Sequence, residues 1–276
     1  RRSVLATNFA PAVYTWWITM CVLGALNIGL LIGLYRWVNR RTPNRLEQLQ
    51  LILCATYTLG CASRCFVLRS DVARFAMFDS WVSTVLVGRT IATIAELAFV
   101  AQWVVLLIYL ARTYERPELN RYAVPILPMI TLAQCCAWYG VLTTNYIGQT
   151  LEESLWTLSA LLFGVGLWLC RKEGTTMLQR WVRYGIVGCI AYLLFMTLID
   201  VPNYYRLWQA KEQAGVTYLS LSEGFSDIQN MIITGAWNDW RYPMVWQSLY
   251  FSLAVWASMT LVMIPVRLRQ EPARTS

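Results

Sequence analysis

Long apolar blocks closed at their ends by arginine leave this chain little choice of fold. A helix needs about 20 mostly apolar residues to cross roughly 30 Å of hydrocarbon. Seven segments meet that requirement: 12–38, 46–67, 83–110, 122–143, 151–170, 181–201 and 244–266. Charge, proline or polar residues separate each from the next, as in Arg40-Arg41-Thr42-Pro43-Asn44-Arg45 and Arg171-Lys172-Glu173-Gly174. Hydrophobic residues make up 57% of the 276 and charged ones 14%, against about 45–50% and about 25% in soluble proteins, so no separate water-soluble domain is expected. The expected fold class is all-α: a polytopic membrane protein, one seven-transmembrane-helix bundle over residues 1–276, with the lipid bilayer as its first partner.

Orientation follows from where Lys and Arg collect, because cytoplasmic connections carry the excess. One set of connections holds Arg36, Arg40, Arg41 and Arg45, then Arg112, Arg116 and Arg121, then Arg171, Lys172, Arg180 and Arg183, and last Arg267, Arg269 and Arg274. The other holds Arg1, Arg2, Arg64, Arg69, Arg74, Arg89, Arg206, Lys211 and Arg241. The expected arrangement has the N-terminus outside and the C-terminus cytoplasmic, in a bacterial inner membrane or an organelle membrane. Residue 1 is Arg, so the start reads as processed or truncated. The first segment is too long for a signal-peptide core and is followed by a basic stop, so it reads as a span. The net charge of +8 sits at span ends, where topology requires it, and no nucleic-acid partner is expected.

Histidine is absent, which excludes histidine-ligated haem or metal and any histidine general base within this chain. Catalytic patterns are missing too: there is no Gly-x-Ser-x-Gly and no Gly-x-x-x-x-Gly-Lys. A retinal Schiff base needs an intramembrane lysine, and both lysines, Lys172 and Lys211, read as loop residues. Ala111-Arg112-Thr113-Tyr114 does not reproduce the triplet that ends the third helix of rhodopsin-like receptors.

Charged groups inside hydrocarbon cost about 2.5–3.5 kcal/mol at the centre of a helix and so turn inward. Glu96 lies near the middle of the third segment, and Arg89 and Trp103 share its face at seven-residue spacing. A rise of about 10 Å separates Arg89 from Glu96, so each is expected to find a partner on another helix. Arg64, Asp79 and Asp200 lie at the depth of Arg89 and are expected to cluster with it. Asn27, Gln102 and Gln134 are the expected neighbours of Glu96. These eight residues are the candidate ligand or proton site.

Residues 202–243 read as an outer aromatic loop, with Tyr204, Tyr205 and Trp208 at one foot and Trp237 and Trp240 at the other, serving as a lid or docking surface. Leu219, Leu221, Phe225, Ile228, Ile232 and Ile233 suggest a short amphipathic helix within it. The eight cysteines read as free thiols packing as small hydrophobes. Gly29-xxx-Gly33 and Gly88-xxx-Ala92 read as close-packing seams. Three functions fit: a non-catalytic integral membrane subunit packing against other membrane proteins, pigments or lipids; an outward-facing small-molecule or lipid binding or transport protein; and an intramembrane lipid-processing enzyme.

Overall fold

The computed structural model describes residues 9–270; Arg1, Arg2 and Arg274, used above for orientation, lie outside the described residues. Helix α1 runs over Pro11–Asn39, α2 over Arg45–Phe66, α3 over Val85–Thr113, α4 over Ile126–Thr143 and α5 over Tyr146–Leu169. Helix α6 is continuous over Thr176–Gln213, the short α7 covers Leu221–Asp227, and α8 covers Trp237–Arg269. The chain is an all-α membrane protein with six helices long and apolar enough to cross a bilayer: α1, α2, α3, Pro117–Thr143 (two short turns leading into α4), α6 and α8. Helix α5, 24 residues long, carries Glu152 and Glu153 and is not one of the six.

Local chemistry sets the boundaries. Asn44 and Glu47 form a reciprocal capping box at the start of α2, which satisfies two otherwise orphaned backbone donors. Thr144 takes a left-handed φ of 59° and Asn145 caps α5 by accepting from the Ile147 backbone N–H. That tight turn starts α5 at Tyr146, five residues earlier than expected. Helices α4 and α5 approach so closely that a Cβ on Gly148 would lie 2.6 Å from the Cys136 carbonyl oxygen and the Gly140 Cα.

The core joins α2, α3 and α5 through aromatic rings: Tyr57 stacks on Phe99 at 4.4 Å, and Trp103 stacks on Phe163 at 5.0 Å. One end of the bundle gathers the connections after α2, α4 and α6. There β1 (Arg69–Ser70) pairs antiparallel with β2 (Phe75–Ala76), which pairs parallel with β3 (Ile232–Ile233). Arg74 bonds the Val141 and Leu142 carbonyls at the end of α4, both at 3.0 Å, and the Asp227 carboxylate at 2.7 Å. A guanidinium at a helix C-terminus satisfies orphan carbonyls and opposes the helix dipole. At the other end Arg269 pairs with Glu47 at 2.9 Å and Arg116 with Glu173 at 2.5 Å.

Several expectations are corrected here. The loop expected over 202–243 is helical at both feet: Val201–Gln213 continues α6, and α8 begins at Trp237. Pro202 is accommodated because it follows a wide π turn over Met196–Asp200, where the missing N–H and the bulk of the ring do least harm. Lys211 is therefore helical, its Nζ donating to the Thr144 carbonyl. Of the expected amphipathic helix only Leu221–Asp227 is helical, and Ile232–Ile233 is strand. The Gly29-xxx-Gly33 seam packs against nothing within 4 Å, and Gly88 makes room for the Arg69 guanidinium, not for another helix.

Candidate functional site

Arg89, Glu96, Gln134 and Glu152 form one connected group where α3, α4 and α5 meet. The Arg89 Nη2 donates to Glu96 at 3.2 Å, to Gln134 Oε1 at 2.5 Å and to Glu152 at 3.0 Å. Gln134 Nε2 in turn donates to the Glu96 carboxylate at 2.7 Å. All four residues are buried. Arg89 and Glu96 pair directly, contrary to the separation expected from helical rise. Glu96 leans toward the N-terminus of its helix as helical side chains do, and the long Arg89 side chain runs along the axis to meet it.

A second group lies beside it, toward the β1–β2 hairpin. Asp71 sits 3.1 Å from Arg69 and 3.6 Å from Arg64, with the Arg69 Nε–H not aligned for a hydrogen bond. Burial alone would raise the Asp71 carboxyl, but the charges of Arg64, Arg69 and Arg89 outweigh it and hold it below its ordinary value. Burial lowers Arg69 to about 10, so it stays cationic at neutral pH. Arg64 also lines a cavity of about 10 Å³ with Cys61, Glu96 and Tyr250, about the space of one water. The Tyr57 and Tyr250 rings meet edge to face at 6.1 Å beside it, with both hydroxyls buried.

Three guanidinium groups (Arg64, Arg69, Arg89) thus face three carboxylates (Asp71, Glu96, Glu152), and this network is electrically balanced. Glu153 and Asp200 stand outside it. Asp200 is buried, Glu153 is half-buried, and neither makes an ion pair among the described residues. The cation that reaches Glu153 is Arg89, already held by Glu96 and Glu152. Tyr192, Tyr204 and Tyr242 are electrostatic neighbours of both acids. Asp200 ends the π turn of α6, and Tyr250, an electrostatic neighbour of Glu96 and Tyr192, begins a second π turn over Tyr250–Ala254 in α8.

The expected cluster of Arg64, Asp79, Arg89 and Asp200 does not form. Asp79 is exposed and makes no ion pair among the described residues, because the hairpin turns Asp71 inward in its place. Gln134 does join Glu96, whereas Asn27 donates to the Phe251 carbonyl at 2.8 Å and accepts from Trp256, and Gln102 bonds Gln50 and Ser258. Of the five lid candidates, Trp240 is fully buried between Trp16 and Phe75 and cannot move as a lid. Tyr205 and Trp208 lie on the α6 extension with ring centroids 5.4 Å apart, Tyr204 packs near Tyr146, and Trp237 is exposed. Sequence reasoning missed Glu152, Glu153, Asp71 and Arg69. The adjacent glutamates were legible as a pair, but a span drawn from Leu151 left them at its edge instead of nearly two turns inside the helix.

The fold and this charge network define an all-α integral membrane protein with ionised groups turned into its own interior. Comparison of the chain with protein-family models, with curated proteins and with solved structures found no match.

Proposed function

We propose that the chain is a proton-coupled membrane binding or transport protein in which Glu153 and Asp200 take up and release the proton. The observation that carries this reading is the absence of a cationic partner for these two acids among the described residues, beside a network whose other charges balance. An intramembrane ionisable group without a structural partner is a functional candidate by default, and π turns occur often at functional sites. Here Asp200 ends one such turn, and Tyr250, an electrostatic neighbour of Glu96, begins the other. Arg89, Glu96, Gln134 and Glu152 hold α3, α4 and α5 together and keep the acids at fixed depth.

The topology proposed with this reading has seven crossings, the six apolar helices and α5. At about 1.5 Å per residue α5 is about 36 Å long, enough to span. Its two glutamates face the bundle interior, where the hydrocarbon penalty does not apply in full. Seven crossings put the basic connections on one side, with the N-terminus outside and the C-terminus cytoplasmic.

The test uses the protein in vesicles loaded with a pH-sensitive dye. A step in external pH is expected to drive proton entry that Glu153→Gln and Asp200→Asn abolish while folded yield is kept. Entry no faster than in protein-free vesicles, or unchanged by both substitutions, overturns the proposal. A second reading, a non-catalytic subunit of a larger membrane assembly, is favoured by α6, of which only 11% of the apolar stretch is buried. Fixed protein or pigment partners travelling with the chain through gentle detergent extraction would support it.

A further inference from the structure

We infer that the groove between α5 and α6 binds one acyl chain of an anionic membrane phospholipid, whose phosphate lies between Arg171 and Arg183. This inference stands on a different part of the molecule from the proton site and does not depend on it. The groove has a volume of about 170 Å³ and is lined by apolar side chains, among them Leu161, Gly164 and Trp168 on α5 and Ile186, Ile190 and Leu193 on α6. An apolar cavity of about 150 Å³ admits a benzene-sized ligand, so this one takes a stretch of hydrocarbon chain. Gly164 creates the space: a Cβ there would meet only Cys189, at 3.2 Å.

Both walls of the groove end in a cation. On α5 the lining residues recur at 161, 164 and 168, and the next position of that helical stripe is Arg171, just past the helix end. On α6 the stripe 193, 190, 186 continues to Arg183. Arg171 stacks over the Trp168 ring at 4.1 Å and donates to the Trp168 carbonyl, so it is held at the mouth of the groove. Arg183 donates to the Gln179 carbonyl. Neither arginine, nor Lys172 nor Arg180 beside them, has a carboxylate partner among the described residues. The acid of this turn, Glu173, is taken by Arg116. Basic pockets between membrane helices at the cytoplasmic face are suited to anionic head groups, and the apolar groove running from this one supplies the place for the chain.

The experiment is native mass spectrometry of the detergent-solubilised protein with phosphatidylglycerol or phosphatidylcholine of identical acyl chains. Wild type is expected to retain phosphatidylglycerol in preference to phosphatidylcholine. A basic residue near an anionic surface is worth about fivefold in binding, so Arg171→Gln with Arg183→Gln should reduce that preference by about 25-fold. Ile190→Trp, at a half-exposed position that plugs the groove without disturbing the core, should reduce retention of both lipids at an unchanged thermal midpoint. Equal retention of the two lipids by wild type, or a preference that survives the arginine pair, overturns the inference. So does a dimer that covers the groove and dissociates on Ile190→Trp.

Discussion

Replacing Arg89 by Gln is the most informative single perturbation of the polar centre. It removes the cation that holds Glu96 at 3.2 Å and Glu152 at 3.0 Å and leaves two buried carboxylates, of which Glu96 keeps its hydrogen bond from Gln134. Breaking a buried pair by removing one member costs about 3–5 kcal/mol, because the charge left behind has lost both water and its counterion. Arg89 serves two acids, so the upper part of that range is expected. Glu152→Gln alone should cost less, since Arg89 keeps Glu96. The double variant should be more stable than the sum of the two single losses implies, with a coupling energy on the order of 1–3 kcal/mol. The assay is reversible unfolding of the purified protein in mixed micelles with increasing dodecyl sulfate, followed by tryptophan fluorescence and analysed as a double-mutant cycle. Glu153→Gln and Asp200→Asn supply the contrast: each removes an acid without a salt-bridge partner, so each should be neutral or stabilising. Additive losses for Arg89 and Glu152, or a loss on Asp200→Asn as large as that on Arg89→Gln, would refute the division into a balanced network and two unpaired acids.

Other outcomes follow from the same geometry. Asp71 has a depressed carboxyl, so its contribution to stability is present above the unfolded-state value and is lost as pH falls through the lower folded one; Asp71→Asn should flatten the acid limb of stability against pH in the wild-type comparison. Gly148→Leu forces a side chain into the α4 backbone and should cost about 3 kcal/mol or more, whereas Gly29→Leu, with nothing within 4 Å, should leave the thermal midpoint of the isolated chain unchanged. Deleting Leu198 removes the extra residue that the wide turn of α6 accommodates and changes the placement of Asp200 at its end, so helical content by circular dichroism should persist while proton entry is lost.

The parts of this fold that were legible from the residues are those set by solvent. Apolar length pointed to the regions of α1, α2, α3, α4, α6 and α8, since hydrocarbon thickness imposes a minimum, although α6 runs on to Gln213 and α8 begins at Trp237. The inward turn of Arg89, Glu96 and Gln134 followed from the cost of charge in lipid. What did not follow were features decided by local geometry or by return of the chain. Asn203, Arg206, Gln209 and Glu212 lower apolarity after Val201, so the helix looked finished where its environment alone had changed. The left-handed Thr144 turn moved the start of α5 and drew Glu152 and Glu153 inside. Asp71 reaches Arg64 and Arg69 because a two-residue-strand hairpin folds back over the bundle end, and no periodicity in the sequence encodes that return.

Infrared difference spectroscopy through a pH titration tests the central claim most directly, because a protonated carboxyl has a C=O stretch that a carboxylate lacks. The expected result is a pH-dependent carboxyl band in wild type that diminishes in Glu153→Gln and in Asp200→Asn and vanishes when both are replaced. A band that survives in the double variant, or is lost only on replacing Glu96 or Glu152, would place the exchangeable proton in the arginine network and contradict the assignment.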